Sequence, residues 1–289
     1  MIITKLQGGL GNQIFQYTFG KSLAKKNNTD LKLDLSFYND KQNNLQRNYS
    51  LKYFNTKENI ALDKETKKLK KNEWKDGRRS FFHNLFFANK SIYIKEKQFN
   101  FDKKILKTTE DIYLDGYWQS EKYFKDIEKI IKKELTLKER LSNRAKEIAK
   151  EIKNSNSISI HVRRGDYVKN PRTNSHHGLC SISYYEKSIK KITQQTQNTH
   201  FFIFSDDIKW AKKNLKTSSP TTFVEDSKDH EDLILMSLCK HNIIANSSFS
   251  WWGAWLNNNP NKIIIAPQKW FNDPKRNTVD LIPKSWIRI

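Results

Sequence analysis

The stretch Ser157–Tyr167, SISIHVRRGDY, decides the fold of this chain. Its β-branched residues predict a short buried strand, Ser157–Val162, and two arginines, a glycine and an aspartate follow directly. Ligands of open α/β sheets bind at the carboxyl ends of the strands. Because the planar fork of arginine suits phosphate oxygens, the two arginines are candidate phosphate ligands. An ordinary charged turn is the competing interpretation.

From Ser157 onward, short apolar strands alternate with helical segments. The predicted strands are 157–162, 200–204, 221–224, 242–245 and 262–266, and the predicted helices are 183–195, 207–215, 230–240 and 249–257. A loop is expected over 165–179. This alternation predicts a parallel, doubly wound sheet with right-handed crossovers.

The chain begins with a second strand-loop-helix unit. A strand over Met1–Leu6 precedes the glycine loop Gln7–Asn12, QGGLGN, and a helix over 13–27 with Asn12 as its N-cap. Unpaired N–H groups at such a helix start favour anions, and Gly9 and Gly11 allow a ligand to approach the backbone. The loop carries neither a dinucleotide nor an ATP fingerprint, and a tight strand-to-helix turn is the alternative.

The first half continues with strands over 30–35, 91–96 and 112–119 and a basic helix over 60–71. A long charged helical stretch over 120–154, broken near Thr136, is expected to connect the halves. The predicted fold class is therefore α/β, with two Rossmann-like domains, 1–150 and 151–289, that face each other across a cleft.

Polar residues follow one strand after another in the second half. His161, Arg163 and Asp166 follow the first strand, Ser205–Asp207 the second, and Asn246, Ser247, Ser248 and Ser250 the fourth. The serines open a helix, which favours phosphate, although N-capping alone is the alternative. Asp232 opens the preceding helix and suits the N1–H and N2–H₂ donors of guanine, or it is a favourable charge at a helix N-terminus.

Composition sets the class of partner. The 289 residues carry a net charge of +22, which indicates anionic partners unless the lysine excess is only compositional. Two cysteines, the lack of a signal-peptide pattern and the lack of an apolar run of roughly 20 residues predict a soluble cytoplasmic protein. The aromatic and basic segment Trp74–Ala88 is typical of a core segment with a solvated edge, and alternatively of single-stranded nucleic-acid binding.

No pattern in the sequence calls for a metal or a catalytic triad. Asp206-Asp207 is not the DxD of metal-dependent sugar-nucleotide enzymes, and His176-His177 lacks a third ligand at usable spacing. The GxSxG pattern is absent.

Three segments together carry a family resemblance. GGLGNQIFQYTFGKSLA at Gly8–Ala24, HVRRGDY at His161–Tyr167 and NSSFSWWGAWL at Asn246–Leu256 resemble the bacterial α-1,2-fucosyltransferases of glycosyltransferase family 11. Their order and spacing extend the resemblance over nearly the whole chain.

The resemblance implies a GT-B fold and an inverting, metal-independent transfer of L-fucose from GDP-β-L-fucose to O2 of a terminal galactose-type sugar. Arg163 would hold the β-phosphate and His161 would lie by the nucleotide, while Asp232 would read guanine. Asp166 is a candidate general base, or it orients Arg163. The remaining donor ligands implied by the resemblance are Gly9, Gly11, Asn12, Asn246, Ser247, Ser248 and Ser250.

Two other functions remain open at this stage. A GT-B enzyme that uses another GDP-sugar would carry the same phosphate ligands. A basic RNA-binding protein would explain the charge, but no recognised nucleic-acid motif is present, and no nucleic-acid partner is expected. The charge also suits peripheral contact with an anionic membrane face, where lipopolysaccharide-type glycan acceptors are made.

Overall fold

The computed structural model describes residues 1–39, 47–70, 92–109 and 111–289. The chain divides into two units, Met1–Leu135 and Thr136–Ile289. The segment Trp74–Ala88 lies outside the described residues.

The described part of the first unit contains a four-stranded parallel sheet. Its strands are β1 (Ile2–Lys5), β2 (Leu31–Asp34), β3 (Ile92–Lys95) and β4 (Ile112–Asp115), in the order β2-β1-β4-β3. The helices are α1 (Leu10–Lys26), α2 (Ser36–Asn39), α3 (Asp63–Lys70) and α4 (Glu128–Glu134). Short 3₁₀ turns lie at Leu51–Tyr53, Ile105–Lys107, Glu121–Tyr123 and Lys125–Ile127.

Helix α1 begins earlier than predicted. Gly9 is its N-cap, and the Gly9 carbonyl accepts hydrogen bonds from the amides of Asn12 and Gln13 at 3.0 and 3.1 Å. Asn12 therefore lies inside the first turn, and its predicted role as N-cap is wrong. Gly9 has the extended backbone usual for an N-cap, and its lack of a side chain leaves this helix start without a side-chain cap.

The second unit contains a six-stranded parallel sheet. Its strands are β5 (Asn156–Val162), β6 (Thr199–Ser205), β7 (Thr221–Phe223), β8 (His241–Ile243), β9 (Ile264–Ala266) and β10 (Ile287–Arg288). The spatial order β7-β6-β5-β8-β9-β10 is the Rossmann order 3-2-1-4-5-6. The predicted α/β class with parallel sheets is confirmed.

The helices of this unit alternate with its parallel strands, and such sheets are usually covered by helices. They are α5 (Asn143–Lys153), α6 (Gly165–Lys169), α7 (Pro171–His177), α8 (Ile182–Thr193), α9 (Ile208–Asn214), α10 (Asp229–Leu238) and α11 (Ser248–Trp255). The loop predicted over 165–179 is wrong, because α6 and α7 occupy it. Strand β10 was not predicted, since only its pairing with β9 marks this two-residue segment as a strand.

The charged stretch over 120–154 is two helices, and the units divide between them. Helix α4 ends at Glu134, and α5 packs on α10 in the second unit. The Glu231 carboxylate fastens this contact, since it accepts hydrogen bonds from the amide and the hydroxyl of Ser142 at 2.6 and 3.2 Å. The observed division at 135/136 therefore precedes the predicted boundary at 150/151. Over the described residues, no helix has both the length and the apolar character that a membrane span requires.

Candidate active site

The strand order of the second unit places two loops at its switch point. The order reverses between β5 and β8, and ligands of doubly wound sheets bind beside the carboxyl ends of such strands. Ile160 pairs with Ile243, so Arg163 and Asn246 each follow this pair by three residues. Two of the polar segments selected from the sequence therefore lie side by side.

Arg163 is held at this edge by two carboxylates. Its Nη2 atom lies 2.6 Å from Oδ1 of Asp166, and its Nη1 atom lies 2.9 Å from Oδ2 of Asp206. The guanidinium carries five N–H groups, so these two contacts leave donors for a phosphate. Its centre also lies 5.3 Å from the ring centroid of Tyr167. The side chain is 19% exposed, so it is fixed in place and still reachable.

The register between β5 and β6 explains the second carboxylate. Val162 pairs with Ser205, so Asp206 stands beside Arg163 as soon as both strands end. Asp206 also accepts the amide of Arg164 at 2.8 Å. A Cβ atom at Gly165 would lie 2.6 Å from Oδ2 of Asp206, so the glycine is what permits this close approach.

Arg164 points to a different set of partners. Its Nε atom donates to Oδ2 of Asp207 at 3.1 Å, and its guanidinium lies 4.0 Å from the ring centroid of Trp210. Asp207 also caps α9 through the amide of Trp210. These contacts make Arg164 a structural residue that ties the end of β5 to α9.

His161 is a buried polar residue at the switch point. The residue is 4% exposed, and its Nδ1 atom has no hydrogen-bond partner within the described chain. Burial, opposed by the Asp206 carboxylate and assisted by Arg163, lowers the pKa of His161 to about 4, so the ring is neutral. Its ring lies 5.5 Å from that of Phe249, in the first turn of α11. A buried ring nitrogen without a partner is suited to a ligand.

Three of the predicted residues after β8 make hydrogen bonds to backbone groups of the protein. The Asn246 side-chain amide donates to the carbonyls of His177, Gly178 and Trp270 at 2.9, 3.3 and 3.2 Å. Ser247 caps α11 by accepting the amide of Phe249. Ser250 is fully buried and donates to the carbonyl of Ser247 at 3.2 Å.

These contacts favour capping and loop fixation over ligand contact for Asn246, Ser247 and Ser250. Ser248 is partly exposed at the first position of α11. Among the four predicted residues it is therefore the one best placed to meet a ligand.

Asp232 lies in the first turn of α10, partly buried, and accepts a hydrogen bond from the Ser227 hydroxyl. Burial, with the nearby carboxylates of Asp229 and Glu231, raises the pKa of Asp232 to about 7. The neighbouring Glu231 accepts hydrogen bonds from Ser142, so Glu231 and Asp232 have separate roles in this turn.

The predicted glycine-loop residues belong to the first unit. Gly9 has open space where a Cβ atom would stand, which leaves its backbone approachable. Gly11 is buried within α1. The side-chain oxygen of Asn12 accepts a hydrogen bond from the side-chain amide of Gln119 at 2.8 Å.

Sequence reasoning missed two glutamines that shape the glycine loop. The buried Gln13 donates to the carbonyls of Gly8 and Asn48 and accepts the amides of Ser50 and Leu51. Gln16 accepts the amide of Gln7 and donates to the carbonyl of Gly116. The available signal in the sequence was the pair of glutamines, Gln13 and Gln16, within an aromatic stretch of the predicted helix.

An aromatic stack beside Arg163 was also missed. Tyr167 stacks on His177 with ring centroids 4.7 Å apart, and His177 lies 5.4 Å from Phe271. Burial, with His176, lowers the pKa of His177 to about 4. Within the described residues, no three or more His, Cys, Asp and Glu side chains cluster as metal ligands would.

Comparison with known proteins places this chain in a family. The model of glycosyl transferase family 11 matches residues 1–289. The chain belongs to glycosyl transferase family 11. It is 36% identical to an alpha-1,2-colitosyltransferase of Escherichia coli, over 100% of this chain and 99% of that one. It is 35% identical to the O-antigen biosynthesis glycosyltransferase WbnK of Escherichia coli, over 98% and 99%.

Solved structures agree with this family-11 transferase at the level of the fold. NodZ, an alpha-1,6-fucosyltransferase from Bradyrhizobium, was crystallised and soaked with GDP-fucose. It matches 88% of this chain and 91% of its own, with a TM-score of 0.54 and 12% identity. The chain is thus a glycosyltransferase, and its parallel α/β architecture is shared with a fucosyltransferase.

Proposed function

We propose that this family-11 transferase moves L-fucose from GDP-β-L-fucose to O2 of a terminal galactose-type sugar, with inversion at the transferred carbon. The observation that carries the proposal is the position of Arg163, which Asp166 and Asp206 hold at the β5–β8 switch point. It lies two residues after His161, whose buried Nδ1 atom has no hydrogen-bond partner among the described residues. A fixed cation with spare N–H groups is what a nucleoside diphosphate needs there.

The chemistry explains why this cation matters. When the bond between fucose and phosphate breaks, negative charge builds on the leaving GDP and positive charge builds on the sugar ring. Arg163 stabilises the leaving diphosphate, and because the guanidinium is already oriented, little reorganisation accompanies the reaction. The proposal therefore assigns this task to Arg163 and to no metal.

Inversion in one displacement requires that the acceptor hydroxyl lose its proton to some base. Asp166 was the candidate from the sequence, but its Oδ1 atom lies 2.6 Å from Arg163. We therefore assign Asp166 to the orientation of Arg163, with Asp206 on the other side of the guanidinium.

Asp232 is proposed to read the guanine edge. An ionised carboxylate accepts two N–H bonds from guanine at N1 and N2, and Ser227 holds one Asp232 oxygen in position. Glu231, which is committed to Ser142, is excluded from this role.

The proposed acceptor sugar and the proposed role of the first unit are supported by the family resemblance. The GT-B arrangement, with the donor between two Rossmann-like domains and Gly9, Gly11 and Asn12 closing over it, stays a prediction. One relative is named for O-antigen biosynthesis, and this supports a lipopolysaccharide-type glycan acceptor made in the cytoplasm.

A second donor has specific support. A relative that is 36% identical over the full chain is named a colitosyltransferase, and colitose is fucose without its 3-hydroxyl group. The phosphate ligands would be the same, so only contacts to the sugar would separate the two donors.

Titration calorimetry with GDP, GDP-fucose and a short RNA tests the donor class. We expect GDP to bind at micromolar to submillimolar concentration and RNA to bind weakly and lose affinity with salt. A glycan-acceptor array with GDP-fucose or GDP-colitose, with and without EDTA, then identifies sugar, acceptor and metal dependence. Failure of GDP to bind would refute the transferase site.

A further inference from the structure

A groove runs along helix α5, and none of its lining residues is a proposed donor ligand. Its volume is about 320 Å³, and its lining residues are Leu141, Lys146, Ala149, Lys150, Lys153 and Asn154. The floor is apolar and the rim is basic. None of these residues belongs to the segments that carry the family resemblance or to the proposed donor ligands.

Helical periodicity puts the three lysines on one flank of α5. The buried residues of α5 are Ala145, Ile148, Ala149 and Ile152. Lys146, Lys150 and Lys153 are spaced four and three residues apart, so they share a face, and all three are exposed. Over these residues the helix rises about 10 Å.

The acids of α5 do not neutralise this flank. Glu147 pairs with Arg144 at 3.3 Å, and Glu151 accepts the hydroxyl of Thr222 at 2.8 Å. Within the described chain, none of the three lysines has a carboxylate at ion-pair distance. The three lysines therefore form a row of positive charge along α5 that no nearby carboxylate among the described residues neutralises, in a protein whose net charge is +22.

We propose that the lysine flank of α5 docks the second unit on an anionic phospholipid surface. The row is straight and about 10 Å long, which lets all three charges meet one flat surface at once. Lysine suits this task, because it is a mobile point charge that does not require a fixed bidentate partner. Leu141 and the lysine stems supply apolar surface near the headgroups.

Single-stranded RNA is the weaker candidate for this groove. Proteins bind such strands by stacking bases on aromatic side chains, and the groove lining contains no aromatic residue. The docking proposal goes beyond sugar transfer and does not depend on which donor is used. It would hold the enzyme where lipid-linked acceptors are found.

Vesicle flotation of the full chain tests the proposal. The probes are vesicles of phosphatidylcholine alone and vesicles with added phosphatidylglycerol, each at graded salt. We expect the wild type to float only with anionic vesicles and to be released by salt. Because each lysine near such a surface contributes about fivefold in affinity, K146Q/K150Q/K153Q should bind about 100-fold more weakly.

A matched variant separates this site from total charge. K187Q/K190Q/K191Q removes three exposed lysines from α8 in the same unit and should keep most of the vesicle affinity. An equal loss in both variants, or no binding of the wild type to anionic vesicles at low salt, would overturn the proposal. So would a wild type that prefers a short RNA to the vesicles in competition. Turnover with a soluble acceptor should be unchanged in both variants, so failure of docking is distinguishable from failure of the transferase site.

Discussion

The ends of β5 and β8 lie beside each other at one switch point, yet their polar residues do different things. After β5, Arg163 keeps unused N–H groups and His161 has an unpartnered nitrogen among the described residues. After β8, Asn246 and Ser250 are buried and donate to protein carbonyls. The first end is prepared for a ligand, and the second is a scaffold that holds it.

The difference teaches that a polar residue at a strand end is a candidate ligand only if the protein does not already satisfy it. Asn246 binds three carbonyls that belong to the loops around α7 and Trp270. The loop after β8 therefore fixes the neighbourhood of Tyr167 and Arg163, and we expect its effect on catalysis to be indirect.

The largest expected effect is at Arg163. Arg163→Lys keeps a positive charge but loses the planar fork, so it cannot contact Asp166, Asp206 and a diphosphate together. We expect kcat/KM to fall at least about 100-fold, the size of the loss of one fixed charge-stabilising donor. Circular dichroism should show an intact fold, and near-normal turnover would contradict the assigned role.

Asn246→Ala is expected to act on stability first. It leaves buried carbonyls of three residues without their donor, which should cost about 2 kcal/mol of unfolding free energy. Urea denaturation measures this change. Ser250→Ala is the control, because its hydroxyl bonds only to local carbonyls, and we expect stability and GDP affinity close to wild type. A large loss of GDP affinity in Ser250→Ala would restore the ligand role predicted from the sequence.

The carboxylates on either side of Arg163 should behave alike if both orient it. Asp206→Asn and Asp166→Asn each weaken one charge-assisted contact, and we expect each to lower kcat/KM up to about tenfold. A general base contributes about 10²–10⁴-fold. A loss of that size in Asp166→Asn alone, with loss of the acidic limb of the pH profile, would make Asp166 the base.

The smallest expected effect is a pH dependence of donor binding through Asp232. Its pKa is raised to about 7 by burial, so the ionised form that accepts guanine donors becomes dominant between pH 6 and 8. GDP affinity should rise over this range, by at most about tenfold for one titrating group. Calorimetry on Asp232→Asn should show weaker binding without this slope. A slope that survives the substitution would point to another group.

The raised pKa of Asp232 makes folding stability change with pH in the direction opposite to GDP affinity. The folded chain holds the Asp232 proton more tightly than the unfolded chain, so the stability from this group is greatest at low pH and declines as pH rises toward and through 7.

Much of the second sheet was predictable, because each strand is short, apolar and bounded by turn residues. The predictions over 157–162, 200–204 and 262–266 fall on β5, β6 and β9. Helix α7 was missed because Arg172, His176 and His177 give no apolar periodicity, and aromatic stacking with Tyr167 and Phe271 supports the segment instead. Helix α6, with five residues, is too short to show a helical period.

In the site, the sequence identified Arg163 but not the Asp206 contact. Asp206 lies over forty residues away along the chain, and only the pairing of Val162 with Ser205 brings it to Arg163. The sequence shows Gly165, but only the structure explains why a glycine is required there: Asp206 comes too close for a side chain. Local patterns cannot supply such contacts, because register is a property of two strands.

The sequence by itself determined the α/β class, the family and the residue types that stand at each strand end, since these depend on local periodicity and on motifs. Only the tertiary structure decided which polar groups are already satisfied. His161 is left without a partner in the described chain, whereas Asn246 and Ser250 are occupied. The physical reason is that hydrogen bonding and desolvation depend on neighbours that the folded chain brings together from distant positions.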